Sequence, residues 1–332
     1  MTSPTSQLWQ SDAWRQQATR WIDETLERRG ITRVPVTPRQ PRVRPWSTQL
    51  VVDTSVGRAW FKACSPSSSP EPAIYRLLTR VAPDRLPEVW ASDERRGWLL
   101  MPDQGPQLRE VADAETVVGL WSGAVRRYAR LQRASTEVTD ELLAAGVPRW
   151  DAQELVTEWL EGRGAEFPQT EEPLRAAAAR LEDSGLPDTI QHNDLHTGNV
   201  FCQDGSAAAI HDARFFDWGD AYVGNPLCSL MIALLGPSYH FGLPADPERD
   251  ARLMRAYTSV WADLVPSSRL TGLLPDAKLI ASLARVFAME RALGHATAAE
   301  RDEWVPRVID PAVRHVLDAT GVPRPEPAHS EK

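Results

Sequence analysis

Residues 191–220 read QHNDLHTGNVFCQDGSAAAIHDARFFDWGD. His192, Asp194, His196 and Asn199 fall within eight positions, and Asp217 and Asp220 follow a short way on. Leu195, Val200, Phe215, Phe216 and Trp218 are interleaved with them, giving the backbone apolar anchors beside each polar group. Phosphoryl transfer asks for such a set: a carboxylate to orient and deprotonate an attacking hydroxyl, and oxygen ligands for Mg²⁺. Asp194 and Asn199, five positions apart on one loop, can face a shared phosphate. Asp217, arriving on the next hairpin, can complete a metal site. The pieces NVFCQ, SAAAIHD and RFFDW read as short β-like segments that interrupt a helical rhythm.

This stretch resembles the aminoglycoside phosphotransferase family, the protein-kinase-like small-molecule phosphotransferases. Their catalytic loop H-x-D-x-x-x-x-N is matched by His192-Asn193-Asp194-Leu195-His196-Thr197-Gly198-Asn199. Their metal motif I-D-W/F-x is matched by Phe216-Asp217-Trp218-Gly219. The resemblance implies Asp194 as catalytic base, Asn199 and Asp217 as Mg²⁺ ligands, and His192 as a support of the loop. It implies ATP as donor, a small-molecule hydroxyl as acceptor and, for some members, antibiotic resistance. The layout of residues 41–300 is covered. One departure lies downstream: the family's G-D-P-x-x-D-L is here Gly224-Asn225-Pro226-Leu227-Cys228-Ser229-Leu230, without either acid. Asp220 is expected to support the metal loop or cap a helix, and His196 to pack within the catalytic loop.

The expected fold is α+β and two-lobed, protein-kinase-like, with a small antiparallel-sheet N-lobe and a larger, mostly helical C-lobe. Gln49–Asp53 and Arg58–Ala63 flank the turn Ser55-Val56-Gly57, a hairpin pattern. A helix over Glu71–Val81 and two strands around Glu94–Gly97 follow. Of the 37 basic residues only Lys62, Lys278 and Lys332 are lysine, so a lysine kept in this arginine background draws notice. Lys62 lies on the strand after the hairpin turn, where the resemblance asks for a lysine that holds the α- and β-phosphates. Glu71 is the one acid between Lys62 and Asp84 and is its expected partner, although an acid at a helix start also suits the dipole. There is no glycine-rich loop before Lys62. The equivalent turn is Arg44-Pro45-Trp46-Ser47-Thr48, with Ser47 and Thr48 as expected phosphate donors. Leu99–Asp103 takes the position of the inter-lobe hinge, so the backbone of Leu100 and Met101 is expected to meet adenine.

The expected domains are a helical extension over residues 1–40, with a single helix over 8–29, and a nucleotide lobe over 41–104. A catalytic and acceptor lobe over 105–322 follows, then a disordered tail over 323–332. Helices are expected over Val111–Gln132, Trp150–Glu161 and Glu172–Leu181. Asp151, Glu154, Glu158 and Glu161 form one acidic stripe. That stripe is either a solvated face or a wall for a polycationic acceptor such as an amino sugar; a sugar, amino alcohol or macrolide is the alternative. The net charge of −8 conceals a split. Residues 1–104 hold 15 basic against 11 acidic side chains, and the remainder 22 against 34.

Composition excludes several classes. Hydrophobic residues at 42% and charged residues at 25% are ordinary globular usage. No apolar run suggests a membrane span, and MTSPTSQLWQ has no secretory pattern, so a cytoplasmic protein is expected. Cys64, Cys202 and Cys228 form neither a disulfide framework nor a zinc pattern. An acidic chain is a poor general nucleic-acid binder. Two rival readings remain: a metal-dependent phosphoesterase using His192, Asp194, His196 and Asp212, which leaves Lys62 without a role, and a non-catalytic nucleotide-binding module. The oligomeric state is not legible.

Overall fold

Ser11 divides the helix expected over residues 8–29 in two. In the computed structural model, which describes residues 5–321, α1 spans Thr5–Gln10 and α2 Asp12–Arg28. The Ser11 hydroxyl donates to the Leu8 carbonyl at 2.7 Å and accepts from the Trp14 amide at 3.3 Å. One side chain thus closes the first helix and caps the second. α2 buries Trp14, Ala18, Ile22, Thr25 and Leu26, the three- and four-residue spacing of a single helical face.

That face covers a five-stranded antiparallel sheet. β1 (Arg39–Val43), β2 (Ser47–Thr54), β3 (Gly57–Cys64), β4 (Ala91–Asp93) and β5 (Trp98–Pro102) lie in the order β1-β2-β3-β5-β4. Trp14, Ile22 and Leu26 share one core with Leu50, Phe61, Trp98 and Leu100. The α1–α2 segment, expected as a helical extension, therefore packs into the core of the sheet through Trp9, Trp14, Ala18, Ile22 and Leu26. β1 begins just before residue 41, where the expected helical extension gives way to the sheet lobe. It is an edge strand, where a proline such as Pro41 is tolerated. Thr54 pairs with Gly57 across the two-residue turn Ser55-Val56, as the hairpin pattern predicts. α3 occupies Glu71–Val81 as expected.

The remainder is mostly helical. α4 (Leu108–Val111), α5 (Val117–Ser135), α6 (Thr139–Ala144), α7 (Ala152–Arg163) and α8 (Glu171–Glu182) precede a small β region. There β6 (Thr189–Gln191) pairs with β9 (Tyr222–Gly224), and β7 (Val200–Phe201) with β8 (Arg214–Phe215). SAAAIHD is not β: Ala209–Asp212 turn as a 3₁₀ helix. α9 (Leu230–Phe241), α10 (Pro247–Thr258), α11 (Ser267–Gly272), α12 (Leu274–Ala292), α13 (Ala298–Trp304) and α14 (Asp310–Ala319) follow. The helix expected from Val111 starts later because the Asp113 carboxylate accepts from the Glu115 and Thr116 amides, a local turn that competes with helix. The expected tail over 323–332, with Lys332, lies outside the described residues.

α5 and α12 run through the core of this lobe, with Trp121, Val125, Leu283 and Val286 fully buried. A buried polar network joins α5 to the β region. Gln132 Nε2 donates to the Gln191 side chain at 2.9 Å, and the Tyr257 hydroxyl lies 2.7 Å from Gln132 Oε1. It fixes β6 directly before the His192 loop. Among the described residues no helix is long and apolar enough to cross a membrane.

Candidate active site

β6 leads into residues 192–199 and β8 into residues 216–221, so pairing within the small β region brings the two loops together. His192 joins them: its Nε2 lies 2.8 Å from the Phe216 carbonyl, and its backbone amide donates to the Tyr128 hydroxyl at 2.9 Å. Burial holds His192 below the ordinary histidine pKa, which keeps the ring neutral. Among the described residues two non-glycine positions take left-handed backbone, Asn193 at φ 60° and Asp217 at φ 67°. Such geometry costs about 1–3 kcal/mol each and persists only where the surroundings impose it. α3 does so for Asp217: the Tyr75 hydroxyl accepts from the Asp217 amide at 3.1 Å, and Glu71 Oε1 accepts from the Trp218 amide at 3.2 Å.

The expected lysine pair is present and has a third member. Lys62 Nζ lies 2.6 Å from Glu71 Oε2 and 2.7 Å from Asp217 Oδ1. The register of β3 between Gln49 and Leu99 sets Lys62 at the cleft. Burial alone would lower the Lys62 pKa. The carboxylates of Asp217 and Glu71 outweigh it and hold the ammonium well above its usual value. Burial would likewise raise the Asp217 carboxyl, but Lys62 keeps it below the ordinary range.

Asp194 is gripped from two sides. Burial would raise its pKa; Arg285, with Oδ1 at 3.2 Å from Nη2, and then His196 reverse this and hold it well below the carboxylate range. His196 Nδ1 accepts from the Gly198 amide at 3.0 Å, which places the ring proton on Nε2, 3.4 Å from Asp194 Oδ2. The Asn199 amide group donates to the Asp194 carbonyl at 2.9 Å and to Oδ2 at 3.2 Å. Arg285 also donates from Nη1 to Asp220 Oδ2 at 2.9 Å and to the Asn193 carbonyl at 3.1 Å. Asp220 is thereby a tether of Arg285, and burial pushes its carboxyl up to about 6 against that arginine. Sequence reasoning missed Arg285, because an arginine among so many carries no signal.

A cavity of about 630 Å³ lies between the lobes and is bordered by Lys62, Met101, Asp194, Asn199, Phe201 and Asp217. Phe201 and Phe216 stack with centroids 3.9 Å apart at 14°, a flat aromatic step on its wall. Arg42 and Arg109 line it too, again without a sequence signal. Donor chemistry suits a hard cation: Asn199 spends its NH₂ on Asp194, which leaves its amide oxygen, and Asp217 has one oxygen on Lys62. Two oxygen donors and open space for phosphate and water are what Mg²⁺ takes.

Two expected contacts, those of Thr48 and Leu100, are made elsewhere. The Thr48 hydroxyl donates to the Arg42 carbonyl at 2.8 Å and accepts from Gln40 at 2.9 Å, so it is spent on the β1–β2 turn and is not free for phosphate. Ser47 is buried and, with Lys62, Asp194 and Asp217, borders a second cavity of about 120 Å³. Leu100 is fully buried in the helix–sheet core, and its carbonyl accepts from the Trp90 amide at 2.8 Å. The cavity's hinge edge begins one residue later, at Met101, and runs to Gly105. The acidic stripe is not at the site. Asp151 caps α7 by accepting from the Glu154 amide at 2.8 Å, and Glu154 and Glu158 are exposed. None of the three lines the cavities that border Asp194. The phosphoesterase quartet does not assemble either. Asp212 is exposed on the 3₁₀ turn, and among the described residues no three His, Cys, Asp or Glu side chains converge as metal ligands would.

The model of the phosphotransferase enzyme family matches residues 47–266 of the chain. No curated protein matches it. Among solved structures, the macrolide 2′-phosphotransferase from Brachybacterium faecium is 19% identical, with a TM-score of 0.58 over 92% of this chain and 99% of its own. The choline kinase from Streptococcus pneumoniae is 11% identical, with a TM-score of 0.59 over 91% and 98%. A thermostable aminoglycoside phosphotransferase mutant, solved with AMP-PNP and hygromycin B, is 15% identical, with a TM-score of 0.52 over 90% and 95%. The two-lobed protein-kinase-like fold is common to them.

Proposed function

The chain belongs to the phosphotransferase enzyme family, and from that premise we propose that it moves the γ-phosphate of ATP to a hydroxyl of a small molecule. The observation that carries this reading is Lys62 held between Glu71 and Asp217 across the cleft from Asp194. A phosphoesterase has no use for that buried lysine.

Each residue has a task in the transfer. Lys62, charged at any working pH, binds the phosphate chain and offsets its negative charge. Phe201 over Phe216 gives the purine ring a stacking surface, and the backbone from Met101 onward meets its edge. Asn199 and Asp217 would hold Mg²⁺, which supplies charge neutralisation on the transferring group. Asp194 accepts the hydrogen bond of the incoming hydroxyl, aims its oxygen at phosphorus and takes the proton as the bond forms. A carboxylate with so low a pKa is a weak base. It suits a loose transition state, in which the hydroxyl needs orienting early and loses its proton late. Arg285 and His196 keep the carboxylate in one rotamer, so orientation is set before the acceptor binds.

Transfer from ATP fits the cytoplasm, where the donor is abundant. An amino sugar is the acceptor that the net −12 charge of residues 105–332 favours; the acidic stripe on α7 lines none of the cavities bordering Asp194 and adds nothing to that preference. The test is ADP release with MgATP over a panel of amino sugars, macrolides, neutral sugars and amino alcohols, repeated after chelation of Mg²⁺. Acceptor-dependent ADP release that chelation abolishes supports the reading. Phosphate release from monoesters without ATP contradicts it.

A further inference from the structure

A separate cavity of about 500 Å³ opens on the other side of Asp194, between α9, α12 and α14. Its size is that of a pocket for a drug-sized molecule. Its walls are apolar: Met231, Ile232, Leu235, Tyr239, Val308 and Ala312. Leu235 and Tyr239 are 47% and 81% exposed, so among the described residues large apolar surface faces this opening uncovered. Asp194 is the one acid in the lining.

The charged groups present do not offset a cation. Asp194 is paired with Arg285, and Arg285 has its other hydrogen bonds to Asp220 and Asn193. Arg307 is paired with Glu303 at 2.9 Å. His315 stays uncharged at neutral pH, since burial and then the neighbouring Lys278 lower its pKa. An amino sugar with several ammonium groups would find one carboxylate, already engaged, and two arginines. Its charges would lose water and gain no partner. A hydrocarbon skeleton would cover Leu235 and Tyr239, remove apolar surface from water and still present a hydroxyl to Asp194.

We infer that the acceptor is a bulky alcohol with a largely hydrocarbon skeleton and at most a single positive charge, seated on the Leu235–Tyr239 wall. This rests on the phosphotransferase reading above. Its test compares erythromycin, kanamycin and choline as acceptors with MgATP, in the wild type and in the Leu235→Glu and Tyr239→Ala variants. Both positions are exposed, so both variants should fold, which thermal unfolding checks. Erythromycin is expected to be the best acceptor. In Leu235→Glu its KM rises about tenfold or more while kcat stays within about twofold, because uniform binding is lost and chemistry is not. Tyr239→Ala acts in the same direction. Kanamycin or choline outperforming erythromycin overturns the inference, as does an erythromycin KM untouched by both variants. So does calorimetry that detects MgATP binding but no erythromycin binding, with the phosphotransferase reading left standing. Failure of the wild type to bind MgATP defeats that underlying reading instead.

Discussion

Arg285 Nη2 lies 3.2 Å from Asp194 Oδ1, and its Nη1 holds Asp220 at 2.9 Å, so one guanidinium from α12 spans the two loops of the site. The pair sets the charge and the direction of the carboxylate on which the proposed reaction depends. A half-buried arginine with three acceptors acts as a rigid fork, a task that a single ammonium performs less well.

Replacing Arg285 with Lys keeps the charge and removes the fork. Expected is a loss of about 10²-fold in kcat, the usual cost of a misdirected reacting group, with the KM for ATP little changed. Arg285→Ala is expected to unfold more easily as well, since the half-buried Asp194 and Asp220 lose their shared partner; the cost is about 1–3 kcal/mol. Steady-state kinetics and denaturant unfolding measure both. A pure rise in the KM for ATP would place Arg285 in nucleotide binding instead.

Lys62 and Glu71 form a coupled pair inside the nucleotide lobe. Lys62→Met leaves two carboxylates facing each other and is expected to cost about 3–5 kcal/mol of stability. Adding Glu71→Gln should restore part of that stability and none of the activity. A double-mutant cycle of melting temperatures, run beside turnover, separates the two effects.

Phe201→Ala removes half of the aromatic step beside the cavity. Loss of one stacking face is expected to weaken nucleotide binding by about 1–3 kcal/mol. Acceptor KM should not follow. Titration with a fluorescent ATP analogue reads the first, and the ADP-release assay the second.

Tyr257→Phe tests the polar network beneath β6. The hydroxyl lies 2.7 Å from Gln132 Oε1 and 2.6 Å from the Pro226 carbonyl, so its single proton serves one of them, and the carbonyl also accepts from Gln132 Nε2 at 3.3 Å. Leaving Gln132 Oε1 without its donor is expected to cost about 1–3 kcal/mol. The residue touches no cavity at the site, so kcat and KM at a temperature well below unfolding should be retained.

The chemistry was legible wherever it restricts residue type at a fixed spacing. Asp194, Asn199 and Asp217 stood out for that reason, and Lys62 because an arginine-rich chain had kept a lysine there. Glu71 followed by elimination. Periodicity placed α3 and the β2–β3 hairpin to the residue or nearly so. It misplaced the start of α5 and joined α1 to α2, because Asp113 and Ser11 satisfy backbone groups locally and no apolar pattern reports that. The acidic stripe on α7 shows the other limit. Spacing puts charges on one helical face, but only packing decides what that face meets, and here it meets none of the cavities at Asp194. Arg285 was illegible because its meaning lies in a contact between distant segments.

The central claim is that Asp194 receives the acceptor hydroxyl, and Asp194→Asn tests it most directly. Asparagine keeps the size and the contact with Asn199, and removes the charge and the ability to take a proton. MgATP binding by calorimetry is expected within about twofold of the wild type, while transfer to the best acceptor falls by about 10³-fold or more. Transfer that survives the substitution at a comparable rate would contradict the account.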